Sequence, residues 1–297
     1  MELVVVSGKG GTGKTFIASN LLYYLNKHVS IPSVGADADV EAPDLVLALS
    51  SRHKTEKCVE IYESRKARIN YDKCIGLSCL ECTRVCMFKA IDVVGDRPAV
   101  IEENCEGCTA CSIVCKANAI TYYTKLTGRI CLYRIDTVPI VSGDLEVGER
   151  NSGHLVYKVR EFAKDVCREF RYKHIVIDAA AGIGCPVISS LVGADKAIIV
   201  VEPTPQSIEG ALRILKLAKL MNVHTYVVIN KHDLNEEFSK KISDVLDAEI
   251  LGMIPYDYAA VKAYANMQPL IAYNPHSKAS KHLLKVLEVI AFSVMRS

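Results

Sequence analysis

The stretch Ser7-Gly8-Lys9-Gly10-Gly11-Thr12-Gly13-Lys14-Thr15 constrains this fold more than any other. It follows Leu3-Val4-Val5-Val6, an apolar run too short for anything but a buried strand. It precedes Phe16 to Leu25, where Ile17, Leu21, Leu22 and Leu25 recur at helical spacing. Strand, glycine loop and helix, in that order, are the context in which G-x-x-x-x-G-K-[ST] cradles phosphates. The glycines let backbone N–H groups converge on phosphate oxygens, and the helix start adds partial positive charge. Gly8, Lys9, Gly10, Gly11, Thr12, Gly13, Lys14, Thr15 and Phe16 are therefore the phosphate-site candidates. Lys14 is placed for the β- and γ-phosphates and the Thr15 hydroxyl for Mg²⁺.

Downstream, strand and helix signals alternate. Ile31–Asp39, Ile175–Ala179, Lys196–Val201, Thr225–Ile229 and Ile250–Pro255 read as strands, and Leu155–Phe170 and Ile208–Leu220 as helices. This predicts an α/β fold, a doubly wound, mainly parallel sheet with helices on both faces. A net charge of +2 gives no reason to expect a nucleic-acid partner. The apolar start is five residues long and runs into the glycine loop, so no signal peptide is read there. No apolar run approaches the ~18 residues of a membrane span. The stripe Leu283, Leu287, Ile290 and Val294 reads as a final helix packed on the sheet. Lys281, Lys285 and Arg296 supply too little positive charge for a lipid anchor. The expectation is a cytoplasmic protein without stable membrane insertion.

Twelve cysteines are unusual in such a setting, where metal or cluster ligation is favoured over disulfides. Eight form two runs, Cys74-x4-Cys79-x2-Cys82-x3-Cys86 and Cys105-x2-Cys108-x2-Cys111-x3-Cys115. Cys79, Cys82 and Cys86 map onto Cys108, Cys111 and Cys115 at a constant offset of 29, and Lys89-Ala90-Ile91 onto Asn118-Ala119-Ile120. Zinc also takes four thiolates, but x2-x2-x3 suits an iron–sulfur cube better than paired knuckles. Ser51–Arg68 is charged, like a linker with a lead-in strand, and Thr127-Gly128-Arg129 looks like an exit. Ile130–Val141 reads as one strand and Gly143–Gly153 as a loop. The expected organisation is 1–57, an insert at 58–128, and 129–297. Cys58 and Cys167 read as structural.

The two runs resemble a bacterial-type two-cluster ferredoxin. The resemblance implies that the fourth cysteine of each run ligates the other cluster. One [4Fe–4S] cluster is then expected on Cys74, Cys79, Cys82 and Cys115, the other on Cys105, Cys108, Cys111 and Cys86. The sequence departs in two places. The Cys74–Cys79 gap is two residues wider, and Met87 and Lys116 stand where prolines are expected. Lys9 in turn makes the glycine loop resemble that of the MinD/ParA/Mrp ATPases and the nitrogenase iron protein. There the early lysine reaches the partner's phosphates across a dimer. The whole resembles a P-loop NTPase of that superfamily with an inserted ferredoxin-like α+β domain.

That resemblance implies further roles. Lys9, Lys14 and Asp39 become the catalytic candidates, Asp39 by orienting the attacking water. Asp37 and Asp178 join Thr15 around Mg²⁺. The Gly182 N–H is placed to sense a γ-phosphate. Asn230-Lys231-His232-Asp233 reproduces N-K-x-D, which reads guanine in GTPases; in the MinD-like group the Asn reads adenine, so ATP is favoured. Pro255 lies near the base. Cys185 is a candidate ligand of a bridging cluster, with Cys131 and Cys167 as guesses for a second. Cofactors are then ATP, Mg²⁺ and two [4Fe–4S] clusters. The expected activity is slow ATP hydrolysis by a homodimer, or a dimer with a paralogue, coupled to electron transfer to a redox partner. The alternatives are a carrier ATPase in iron–sulfur or metallocofactor assembly, which needs a cofactor-acceptor protein, and a MinD-like positional organiser.

Overall fold

The computed structural model describes residues 1–150 and 152–295; Arg296 lies outside them. The chain divides into two compact units. The first comprises Met1–Val59, Ile130–Asp144 and Ser152–Ser297, the second Glu60–Arg129 and Leu145–Asn151. The strands are β1 (Glu2–Ser7), β2 (Ser33–Ala38), β3 (Lys54–Ile69), β4 (Ile91–Val94), β5 (Arg97–Val100), β6 (Ile120–Ile135), β7 (Val138–Leu145), β8 (His174–Ala181), β9 (Lys196–Val201), β10 (His224–Asn230) and β11 (Glu249–Ile254). The helices are α1 (Lys14–Lys27), α2 (Leu45–Leu49), α3 (Glu81–Val85), α4 (Ala110–Val114), α5 (Ser152–Phe170), α6 (Cys185–Leu191), α7 (Pro205–Leu220), α8 (Glu236–Val245), α9 (Tyr258–Ala265), α10 (Leu270–Tyr273) and α11 (Lys278–Val289).

In the first unit, β1 is buried along its whole length because Leu3 to Val6 have apolar neighbours on both faces. It lies between β8 and β9 in the sheet order β11-β10-β9-β1-β8-β2-β7-β6-β3. The pairs β10/β11, β9/β10, β1/β9, β1/β8, β2/β8 and β2/β7 are parallel. The sheet is mainly parallel, as expected, with one hairpin. Ile130–Val141 is not a single strand: the chain reverses at Asp136 and Thr137, where Asp136 takes φ 52°, so β6 and β7 run antiparallel. Alternating apolar residues continue through that turn, which hides it from periodicity. β7 also runs on to Leu145, so the loop expected at 143 starts later.

Ile17, Leu21, Leu22 and Leu25 of α1 pack on Leu3, Val5 and Val176 in the main core. Leu283, Leu287, Ile290 and Val294 belong to the same core and are buried. The last helix thus spends its apolar stripe on the sheet. No described helix is long and apolar enough to cross a membrane.

One buried ion pair in this unit was not legible in the sequence. Arg160 on α5 donates to Glu2 Oε1 and Oε2 at 3.1 and 2.9 Å, and to the carbonyls of Ser189 and Val192 at 2.6 Å each. Both partners are buried. The guanidinium fork ties β1 to the end of α6, and removing it leaves two carbonyls without their donor and the buried carboxylate with Lys164 alone, 3.4 Å away. Arg160→Ala is expected to cost roughly 3–5 kcal/mol, read as a lower urea midpoint.

In the second unit the sequence repeat is also a backbone repeat. Leu80 and Thr109, 29 residues apart, take φ 55° and 71° just before α3 and α4. Lys89 and Asn118 take φ 51° and 48° at equivalent points. β4 and β5 form a separate antiparallel pair, Ile91 opposite Val100. The buried cluster of this unit is small: Ala67, Ile69, Ile91 and Cys111, flanked by Cys74, Cys82, Cys86 and Cys105.

Cys58 and Cys131 form a disulfide between β3 and β6. Two of the twelve cysteines thus form a disulfide where the sequence favours ligation over disulfides; Cys58 is structural as expected, and Cys131 is removed as a guess for an extra ligand. Cys167 is buried, and burial pushes its thiol up to about 11. A thiol so reluctant to ionise is inert and structural.

Candidate functional site

The glycine loop sits where β1 ends and α1 begins, at the carboxyl edge of the parallel strands, where ligands of such sheets bind. Its shape needs its glycines. Gly13 takes φ 99°, and a Cβ there would lie 2.4 Å from Asn230 Nδ2. A Cβ on Gly8 would meet the backbone of Gly210 at 2.2 Å. An open cleft of about 1280 Å³ is lined by Gly10, Gly11, Gly13, Lys14, Thr15, Phe16, Asp39, Asn230, Lys231 and Pro255, among others. The fold brings these candidates to one cleft. Gly8, Lys9, Thr12, Asp37, Asp178, Gly182 and Asp233 are not part of that lining.

Parallel pairing explains the acidic centre. Asp37 on β2 is the register partner of Asp178 on β8, and Asp178 is also paired with Val5 on β1, two residues before the loop. Both carboxylates are fully buried. Asp37 accepts from the N–H groups of Leu45 at 2.9 Å and Asp39 at 3.3 Å. Neither oxygen of Asp178, nor the Thr12 hydroxyl, has a partner of good hydrogen-bond geometry, though the Thr15 hydroxyl lies near enough to Asp178 to favour its charge. Burial, then the charge of Asp178, raises the pKa of Asp37 well above the carboxylate range. Burial pushes Asp178 up to about 7 against the pull of Thr15 and Lys14. Two adjacent buried carboxylates, one of them without a well-placed donor, beside a threonine hydroxyl and a phosphate loop are a donor set that fits Mg²⁺. Burial also raises Asp39, opposed by Lys14.

Three predicted residues are engaged within the chain. The Gly182 N–H donates to the Ser7 carbonyl at 2.9 Å, so contact with a γ-phosphate requires that bond to open. Asn230 Nδ2 donates to the Thr12 carbonyl at 2.8 Å and so braces the loop. Asp233 accepts from the Tyr256 N–H at 2.6 Å on one oxygen and from Lys278 Nζ at 3.0 Å on the other. Each oxygen thus already carries one donor within the chain.

Two residues missed by motif reading bear on this cleft. Glu202, at the end of β9, is mostly buried and holds both Lys9 (2.7 Å) and Lys231 (3.1 Å). Burial works against its charge, but the two lysines outweigh it and hold the carboxyl below its ordinary value. Lys231 also donates to the Gly11 carbonyl at 2.7 Å. Lys9 is thus anchored within its own chain. Tyr264, in the cleft wall, donates to Asp44 Oδ2 at 2.7 Å; burial and this bond push its phenol up to about 12.

The second unit has its own candidate centre. One cavity is lined by Cys74, Cys79, Cys82 and Cys115. Another is lined by Cys86, Cys105, Cys108 and Cys111. The two extra residues between Cys74 and Cys79 are absorbed by a 3-10 turn over Gly76–Ser78, and Cys74 still faces the cavity of its own run. Backbone N–H groups point at the sulfurs: Ala90 to Cys86 (3.2 Å), Ala119 to Cys115 (3.3 Å) and Ala67 to Cys105 (3.4 Å). Among the described residues no three His, Cys, Asp or Glu side chains converge on a point that would hold a single ion. Cys185 is exposed at the start of α6 and is not among the lining residues of either thiol cavity.

Comparison with known proteins agrees with this layout. The sequence profile of the CobQ/CobB/MinD/ParA nucleotide binding domain matches residues 3–270. The uncharacterised protein MJ0578 of Methanocaldococcus jannaschii is 32% identical over 97% of this chain and 95% of its own. A ferredoxin from Methanothermococcus thermolithotrophicus is 41% identical over 54 residues, 18% of this chain and 90% of the ferredoxin. The septum site-determining protein MinD complexed with Mg-ADP, from Pyrococcus horikoshii OT3, has a TM-score of 0.60 at 18% identity, with 99% of this chain and 96% of that one covered. At that identity the likeness is one of fold.

Proposed function

This chain belongs to the CobQ/CobB/MinD/ParA nucleotide binding domain family, and we propose that it is an Mg²⁺-dependent ATPase that couples nucleotide binding and hydrolysis to electron transfer by two [4Fe–4S] clusters. The observation that carries the redox half is the pair of four-thiol cavities. Each takes three cysteines from one run and one from the other. Thiols spread around a cavity, with N–H groups aimed at the sulfurs, suit the corners of a cube rather than one central ion. The sparse core of the second unit supports the same reading, since small units need staples and metal binding supplies folding energy. The local identity to a ferredoxin lies in the same direction.

In this reading the second unit is a ferredoxin-like insert over roughly 58–128. When bound, the clusters supply one-electron storage. The nucleotide half works by positioning and charge neutralisation. The loop amides and Lys14 hold the phosphates. Thr15, Asp37 and Asp178 hold Mg²⁺, and Asp39 orients water. Asp233 is already committed to Tyr256 and Lys278, which favours ATP over GTP. Lys9 exchanges Glu202 for a partner's phosphates in a dimer, so dimer formation and hydrolysis are linked. The insert leaves the chain shortly after the acidic switch at Asp37–Asp39, which lets nucleotide state act on a redox partner.

The test is an anaerobic redox titration of the iron-loaded protein, with and without MgATP, together with the rate of electron delivery to a one-electron acceptor. Faster delivery or shifted potentials with MgATP are the expected result. Potentials and rates that ignore nucleotide would end the coupling proposal, and a colourless protein holding two zinc ions would end the redox one.

A further inference from the structure

The sequence repeat makes the two thiol cavities look equivalent, but their surroundings are not. At Cys74, Cys79, Cys82 and Cys115, the Ala119 N–H reaches the Cys115 sulfur at 3.3 Å, and the Thr83 N–H lies toward the Cys82 sulfur. At Cys86, Cys105, Cys108 and Cys111 there are three contacts to sulfur: Ala67 N–H to Cys105, Ala90 N–H to Cys86, and one of 3.5 Å between the Tyr122 hydroxyl and Cys111. Each cavity wall carries one carboxylate, Glu81 or Glu106, and each is paired with an arginine, Arg84 at 2.7 Å or Arg150 at 3.3 Å. Those contributions offset one another across the repeat. Beside the Arg65 guanidinium, which stacks 4.3 Å from the Tyr122 ring, a further difference is a buried cation. Lys66 Nζ donates to the Cys105 carbonyl at 3.1 Å.

Lys66 is not a free charge. Its ammonium lies 3.5 Å from Glu149, which also takes Lys125 at 3.5 Å and the Ser64 hydroxyl. Lys125 in turn pairs with Glu102 at 2.7 Å. The group is close to neutral overall, but Lys66 is the member bonded to a ligand residue, so its dipole has the positive end toward Cys105. Lys66 and Glu149 side chains are only 5% and 2% exposed, so water screens this dipole weakly. Cys108 is also the one exposed thiol of the eight.

Hydrogen bonds to the sulfurs, a nearby positive pole and solvent exposure all favour the more negative, reduced state of a cluster. We propose that Lys66 and Tyr122 make the two clusters inequivalent, giving the one on Cys86, Cys105, Cys108 and Cys111 the higher reduction potential. A single electron entering the pair then resides at that site. A one-electron donor reduces this site by one electron and leaves the other in its starting oxidised state, and Cys108 is the exposed ligand residue of the reduced site. The proposal rests on the [4Fe–4S] reading above. Lys66 and Tyr122 are positioning residues, since they act on cluster ligands and carry no electron themselves.

The test uses the full chain, reconstituted anaerobically with ferrous iron and sulfide and titrated with dithionite under EPR detection. Two resolved one-electron steps are expected. Tyr122→Phe and Lys66→Met should each lower the upper step and leave the lower one in place. The double variant should change the reduced-to-oxidised ratio at that site by about tenfold, ~59 mV for one electron. Tyr122→Phe removes a single oxygen, so it reports even if Lys66→Met fails to fold. Coincident steps in the parent protein, or variants that move the lower step or neither, would overturn the proposal. A chain that takes up no iron and sulfide would overturn the cluster reading, and this proposal with it.

Discussion

Cys115→Ala is expected to remove the cluster at Cys74, Cys79 and Cys82 and to spare the one beside its own sequence neighbours, Cys108 and Cys111. The reason lies in the end of α4. Cys111 is inside that helix, and one more helical turn would carry Cys115 to the same face. The helix instead stops at Val114, and Cys115 takes an extended conformation (φ −77°, ψ 94°) that directs it to the other cavity. The Ala119 N–H then holds the sulfur there at 3.3 Å. Iron should fall from roughly eight to roughly four per chain. The surviving EPR signal should be the one that Tyr122→Phe shifts. Cys86→Ala should do the reverse, since Cys86 leaves α3 in the same way (φ −74°, ψ 97°). If Cys115→Ala leaves the signal that ignores Tyr122→Phe, the crossed arrangement is wrong. Loss of both signals would mean that the unit needs both clusters to fold.

What the sequence revealed and what it hid divide along physical lines. Contiguous, chemically marked residues were legible. Ser7–Thr15 announced its loop because glycine conformations and a terminal lysine have few other uses together. The two cysteine runs announced their cavities because a repeat at offset 29 copies a backbone as well as a ligand set. Mainly parallel pairing followed from alternating strand and helix signals. Residues whose meaning depends on a distant partner were not legible. Glu202 is an ordinary strand-end acid until the fold brings Lys9, 193 residues away, to 2.7 Å. Arg160 reads as a polar position on an amphipathic helix until Glu2 lies beneath it. Cys58 and Cys131 carry no motif, and only the adjacency of β3 and β6 pairs them. Asp233 shows the same divide: N-K-x-D is a local pattern, whereas its hydrogen bonds to Tyr256 and Lys278 are tertiary.

Asp178→Asn is expected to make the metal-free protein more stable and the ATPase all but inactive. Asp178 is fully buried, its oxygens have no partner of good geometry, with Thr15 and Lys14 offsetting its burial only in part, and its register neighbour Asp37 is a second buried carboxylate. Placing such a charge there is costly without a counter-ion, and like charges side by side add to the cost. An amide of the same shape removes the charge and the repulsion while keeping the packing. The metal-free variant should gain about 1 kcal/mol or more, seen as a rise of ~2–4 °C in melting temperature. Hydrolysis should fall by about 10²–10³-fold or more, because the metal loses an anionic anchor where charge develops. The more telling readout is the response to MgADP. Ligand that binds only the folded state stabilises in proportion to its affinity. The parent protein should therefore gain far more than the variant, and their order of stability should invert once nucleotide and magnesium are added. A variant that is less stable than its parent without ligand would mean that Asp178 is satisfied in some other way. A variant that gains equally from MgADP would mean that the metal does not rely on it. Inversion would instead show that the strain built into β2 and β8 is relieved by the ligand, which is how a buried acidic pair ties the fold to its nucleotide.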